Sequence, residues 1–478
     1  MKKTIFLFFI LFASLRFLTA QPAAVIFRSS DTAMQNAFGL AKQMALHYKA
    51  GPGDPVGPWY ESALPPRFAF CMRDVSHQCI GAEILEMHAE NKNMFSKFIR
   101  NISASKDWCS YWEMDKFNRP SPADYKNDRE FWYNLNANFD LLDACWRSYL
   151  WTGDTMFLNN PAFQYFYAKS VDEFIVKWIL QPDSLLTRPA YPNAPEPFDS
   201  NNSFHRCRGL PSYSESVHDL KMGIDLVAAI YRGMLSYASF LKAGNKAGKA
   251  DAIIKKAGLY RQHIDNFWWD PQASLYNTHY TNSHQFGKGE GETFLLWFDA
   301  LADTVREKKT IEHLLSMNLN VENQSYLPLQ LYRHGYWQKA REMVLHLTDP
   351  ATERREYPEV SYGMVEAFVQ GLMGIDANAL SRTVSSIYRS GAGSGSLVDL
   401  PVLNTTIDIS HLSRTSSAIT NKGKYPFIWK AMFYGNHGMA IINKRKVQLK
   451  KEKDSRGVLV SFINTRIAPG QHTTITAL

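Results

Sequence analysis

Apolar residues at helical spacing recur in paired stretches from about residue 31 to residue 376, and that recurrence limits the folds open to this chain. The spacing predicts twelve helices in six pairs: 31–48 with 75–90, 91–105 with 132–149, 155–180 with 215–243, 246–267 with 293–300, 303–317 with 325–332, and 335–346 with 360–375. The first member of each pair carries more charge, as at Lys255, Lys256 and Arg261. The second is more apolar, as at Phe294, Leu295, Leu296, Trp297 and Phe298. Such alternation predicts a solvated outer ring of helices around a buried inner ring.

The linkers alternate as well. Connections leaving an inner helix are short, such as 150–154. Those entering one are long and rich in aromatic and acidic residues, such as 106–131, 181–214 and 268–292. Long loops of that composition are ordered and functional rather than disordered. If the ring closes, all of them gather at one end. After SGAGSGS (390–396), a linker pattern, the periodicity changes to alternating runs at 405–409, 427–433, 439–442, 458–463 and 473–477, which predict strands. The expected fold is therefore mainly α, an (α/α)6 toroid of six hairpins with a small C-terminal β-sandwich-like domain. Its divisions are 1–20, 21–389 and 390–478.

Residues 1–20 (MKKTIFLFFILFASLRFLTA) have the form of a cleavable signal peptide. The expectation is a periplasmic or secreted protein, with no cysteine placed for a lipid anchor and no membrane insertion after cleavage. The net charge of +8 shrinks in meaning once Lys2, Lys3 and Arg16 leave with that segment. Most of the remainder lies in Lys444, Arg445, Lys446, Lys450, Lys451, Lys453 and Arg456, set against Glu452 and Asp454. A solvated turn is the expectation there, with contact to an anionic polymer as the alternative. Nothing resembles a nucleic-acid module. The five cysteines fall in no CxxC pair and there is no HExxH, so no metal site and no cofactor is expected. Buried thiols are the expected state, with a Cys71–Cys79 disulfide the alternative. GKGEGE (287–292) lacks the strand and the GK[ST] ending of a phosphate loop, and no GxSxG occurs.

The six junctions entering the inner helices read RFAFCMRDVSHQ (67–78), DREFWYNLNANFD (128–140), GLPSYSESVHDL (209–220), GKGEGETFLLWF (287–298), NVENQSYLPL (320–329) and REYPEVSYGMVE (355–366). Each holds at least one carboxylate. Capping is the ordinary role of an acid at a helix start; six such junctions converging imply a pocket lined with carboxylates and aromatics. Such a pocket suits sugars, because rings stack on pyranose faces and carboxylates pair with hydroxyls. Trp112, Trp132, Tyr133, Tyr213 and Tyr362 are the aromatic candidates for that lining. Glycoside cleavage needs one protonated and one ionised carboxyl group.

On MRD (72–74), DYKNDREFWYNL (124–135) and YLWTGD (149–154), over a six-hairpin architecture, the chain resembles the (α/α)6 six-hairpin glycosidases. Within them it is similar to the β-glucuronidase-like enzymes of glycoside hydrolase family 154. The resemblance implies hydrolysis of a carbohydrate substrate by an inverting, metal-independent mechanism. By hairpin order it places a general acid at Glu215 and a base at Glu359 or its neighbour Glu356, with the two roles exchangeable. Arg73 and Asp74 fall at the sugar-binding end, and Glu290, Glu292 and Glu322 occupy the intervening junctions. A uronide substrate needs a cationic partner, for which Arg73, His205, Arg206 and Arg208 are the candidates. One rival is a polysaccharide lyase using Tyr213, His205, His218 or Arg206. The other is a non-catalytic glycan-binding protein.

Overall fold

The computed structural model describes residues 24–214, 217, 219–454 and 456–478. The expected signal peptide and the candidates Glu215 and His218 lie outside the described residues. Helix makes up 41% of the structure and strand 23%. Strand content exceeds the sequence expectation because the long loops carry short strands of their own, such as Ala69–Cys71 paired with Glu113–Asp115.

Six outer helices begin the pairs: Thr32–His47, His88–Ile99, Pro161–Val171, Ala247–His263, Thr304–Ser316 and Trp337–Thr348. Six inner helices complete them: Met72–Ile84, Ala137–Thr152, Ile224–Ala243, Glu292–Trp297, Val321–Arg333 and Pro358–Glu366. Each inner helix packs on the next, and the sixth packs on the first, so the contacts close on themselves. Closure is tight where Gly81 of the first inner helix faces Tyr362 of the sixth. A Cβ added to Gly81 would lie 2.3 Å from the Tyr362 carbonyl oxygen. The third inner helix is apolar and long enough to cross a membrane, yet 83% of its apolar window is buried by its neighbours.

Two sheets follow. One has seven antiparallel strands, in the order Ile26–Ser29, Gly395–Val402, Thr405–Ser413, Ser416–Asn421, His472–Ala477, Met439–Ile442 and Arg445–Gln448. The other runs Asp376–Asn378, Thr383–Ser386, Phe427–Tyr434, Leu459–Ile467 and Lys450–Lys453. Phe427–Tyr434 alternates strictly between buried and half-buried residues, as a strand with one covered face should. Two expectations change. An N-terminal segment supplies the first edge strand of the larger sheet, pairing Ile26 with Val398. The basic segment is no turn: Arg445–Gln448 and Lys450–Lys453 are outer strands, one on each sheet. Lysine on an edge strand discourages pairing with another chain.

Cys71, Cys79, Cys109 and Cys145 are buried thiols. Cys71 donates to Glu113 Oε2 at 3.0 Å rather than bonding Cys79.

Candidate active site

The outer helices Thr32–His47, Pro161–Val171 and Thr304–Ser316 begin with side-chain caps from Asp31, Asn160 and Asp303. Among the inner helices only Val321–Arg333 does so, through Asn320, yet all six carry an acid in the first turn: Asp74, Asp140, Asp225, Glu292, Glu322 and Glu359. These acids are therefore not N-caps. Ring closure brings their helix ends together.

Arg73 is the hub of the resulting cluster. Its Nη2 donates to Glu322 Oε1 at 2.7 Å and its Nε to Asp74 Oδ1 at 3.2 Å. Its guanidinium lies 4.9 Å from the Tyr213 ring centre and 5.7 Å from that of Trp112. One carboxylate oxygen from each of Asp74, Glu322 and Glu359 lies within 4.8 Å of the others. Three such oxygens are a possible cation seat, but the Arg73 guanidinium already supplies positive charge to two of them.

The proton in this cluster can be placed. Glu359 is 4% exposed, and its Oε2 finds no donor among the described residues. Burial, then the charge of Asp74 and the contact with it, push the Glu359 carboxyl well above the usual range. Burial also opposes charge on Asp74, but Arg73 and the hydrogen bond from Glu359 outweigh it and hold Asp74 low. Of the pair, Glu359 is thus the member that holds a proton more readily and Asp74 the one that holds a charge more readily.

A cavity of about 340 Å³ opens beside this cluster, lined by Arg73, Tyr213, Ser214, Glu290, Glu322 and Asn323 among others. Tyr213 is held from two sides. Its backbone N–H donates to Asp225 Oδ2 at 2.7 Å, and its hydroxyl donates to Asp140. Burial raises Asp225 to about 6, and burial also raises Asp140 against the pull of His77 and the Tyr213 hydroxyl. His77 shares a 3.0 Å hydrogen bond with the Tyr326 hydroxyl.

Of the residues expected at the site, the fold brings together Arg73, Asp74, Trp112, Tyr213, Glu322 and Glu359. Trp132 packs against Trp112, ring centres 4.3 Å apart. Others lie elsewhere. Glu292 turns outward to His313 Nδ1 at 2.5 Å. Glu356 is exposed, and only its backbone oxygen is engaged, by the Tyr48 hydroxyl. Tyr133 and Tyr362 are fully buried, donating to Asn138 Oδ1 at 2.6 Å and to the Ala45 carbonyl at 3.0 Å. His205 accepts from the Asp199 N–H, Arg206 donates to the Ser200 carbonyl, and Arg208 pairs with Asp107 Oδ2 at 2.6 Å. Asp140, His77 and Asn323 were not expected. The recurrence of an acid in each inner helix's first turn was the signal for Asp140.

No family model and no curated protein sequence matches the chain. Solved structures do. An α-L-rhamnosidase from Dictyoglumus thermophilum superposes with a TM-score of 0.60 at 11% identity, over 95% of this chain and 50% of that one. A putative kojibiose phosphorylase from the human microbiome gives 0.55 at 9% identity, over 94% and 68%. An α-L-rhamnosidase from Aspergillus terreus gives 0.52 at 11% identity, over 94% and 50%. The chain spans half the length of these two rhamnosidases. The likeness is one of fold.

Proposed function

We propose that the chain is an exported glycoside hydrolase, its helices an (α/α)6 toroid and its substrate a glycan bound at the Arg73–Glu322 cavity. The observation that carries this reading is the close carboxyl pair of Asp74 and Glu359, whose surroundings favour a proton on one member and a charge on the other. Hydrolysis of a glycoside needs such a proton beside the leaving oxygen. Glu359 is then the general acid, which exchanges the roles expected from hairpin order and leaves the base to Glu215. Glu290 lines the cavity too, its carboxyl raised by burial and the charge of Glu322.

A β-glucuronide is the finer substrate reading. It needs a cation for the sugar carboxylate, and Asp74 and Glu322 already take the charge of Arg73. Glucuronides are therefore one arm of the assay rather than its premise.

The test is a panel of aryl glycosides and oligosaccharides, including rhamnosides, glucosides, glucuronides and galacturonides, with the product anomer followed by NMR. The expected result is hydrolysis with inversion and no new ultraviolet absorbance. An unsaturated uronate product would make the chain a lyase, and binding without cleavage would make it a glycan-binding protein.

A further inference from the structure

Arg188 is 2% exposed and lies in the long loop before the third inner helix. Among the described residues its guanidinium makes one hydrogen bond, a long one from Nη1 to the Lys221 carbonyl at 3.4 Å, while Nε and Nη2 are buried without an acceptor. No carboxylate among the described residues pairs with it. An uncompensated buried charge is unfavourable, and buried guanidiniums are ordinarily matched by an anion. Burial pulls its pKa down to about 9, so it remains charged at neutral pH.

Arg188 lines a cavity of about 240 Å³ whose walls also hold Arg206, Arg208 and Lys221, with Asp219 the acid among the described residues there. Asp219 is engaged, accepting from the Ser283 N–H at 3.1 Å. Arg208 pairs with Asp107, but its Nε is a further buried donor without an acceptor. Among the described residues cationic side chains thus outnumber the acid in this wall, and three guanidinium nitrogens lack partners. The cavity adjoins the Arg73 cavity along the chain: Pro211 lines one and Tyr213 the other. Two residues of chain span at most about 7 Å.

We propose that the Arg188 cavity is an oxyanion subsite that takes an acidic substituent, carboxylate or sulfate, of the glycan held at the Arg73 cavity. This rests on the glycan reading of the neighbouring cavity. It returns Arg206 and Arg208 to a substrate role while naming Arg188 as the residue on which recognition turns. A guanidinium meets either oxyanion with parallel hydrogen bonds, and an occupant would supply the counter-charge that Arg188 lacks.

Calorimetric titration of the full chain with glucuronate, inorganic sulfate and glucose tests this without requiring turnover. The wild type is expected to bind glucuronate or sulfate saturably, and Arg188→Met to weaken that binding at least roughly tenfold, the loss of one charge-assisted contact. Glucose binding is expected to be the same in both. Arg188→Met removes an unpaired buried charge at similar length, so it is expected to fold. If it does not, Arg188→Lys, which keeps the charge and loses the fork, is expected to weaken sulfate binding. Sulfate binding alone supports a site for sulfate, free or glycan-borne, and glucuronate binding supports a uronate site. Equal affinity of wild type and variant for both oxyanions, or no saturable binding of either, overturns the proposal. Arg188-dependent binding in a chain that cleaves no glycan would overturn the hydrolase reading and leave the subsite standing.

Discussion

One carboxylate oxygen of Asp74, from the first inner helix, and one of Glu359, from the sixth, lie within 4.8 Å of each other, and burial with the charge of Asp74 holds the Glu359 carboxyl well above its usual range while Arg73 helps hold Asp74 low. Ring closure creates this contact, since the two residues are joined by no local stretch of chain. The upward displacement of Glu359 has a pH consequence. Because its folded pKa lies above the unfolded one, it favours the folded state at acid pH, and that advantage is lost as pH rises through the folded value. Activity that depends on its proton falls over the same range. Asp74→Asn removes a charge that raises Glu359, so the alkaline limb of kcat/KM against pH is expected to move to lower pH. An unmoved limb would separate the two groups.

Arg73 neutralises two carboxylates with its side chain largely buried. Arg73→Met leaves both without their partner and is expected to cost about 3–5 kcal/mol in urea unfolding at neutral pH. The deficit is expected to shrink on acidification, as Asp74, held low by Arg73 in the native protein, takes up a proton. A deficit independent of pH would assign the loss to packing.

Gly81 tests the ring itself. With a Tyr362 carbonyl oxygen 2.3 Å from any added Cβ, Gly81→Ala must part the first and sixth inner helices. The expected cost is about 1–3 kcal/mol or more, read as a lowered Tm. An unchanged Tm would show that those helices do not pack as described.

Two tyrosines separate site from core. Tyr213→Phe removes the hydroxyl on Asp140 and is expected to lower kcat/KM roughly tenfold. Tyr362→Phe removes a bond to the Ala45 carbonyl and is expected to cost about 1 kcal/mol of stability with kinetics intact. A reversed outcome would move the site.

Much of this architecture was legible in the residues. The contrast between charged Lys255, Lys256 and Arg261 and apolar Phe294–Trp297 marked outer and inner helices, because a helix buried on all sides has no room for solvated charge. Convergence of the six junctions followed from that ring. Which junction residues enter the cavity did not follow, since it depends on the rotation of each helix about its axis. Glu292 and Glu359 occupy like positions in sequence, yet one faces His313 outward and the other Asp74 inward. Tyr133 and Tyr362 looked like stacking platforms but fill gaps between helices. The basic strands at 445–448 and 450–453 escaped recognition because charge at a sheet edge and charge in a turn look alike. The strand at Ile26 pairs across more than 350 residues, beyond the reach of any local signal.

The assignment of Glu359 as proton donor is tested most directly by the dependence of its loss on the leaving group. For Glu359→Gln, kcat/KM is expected to fall roughly 10²–10⁴-fold on an unactivated oligosaccharide. On a dinitrophenyl glycoside, whose leaving group needs no proton, the fall is expected to be small. Glu356→Gln, at an exposed position, is expected to match the wild type on both. Equal losses on the two substrates, or a Glu359→Gln enzyme as active as the wild type on the oligosaccharide, would contradict the assignment.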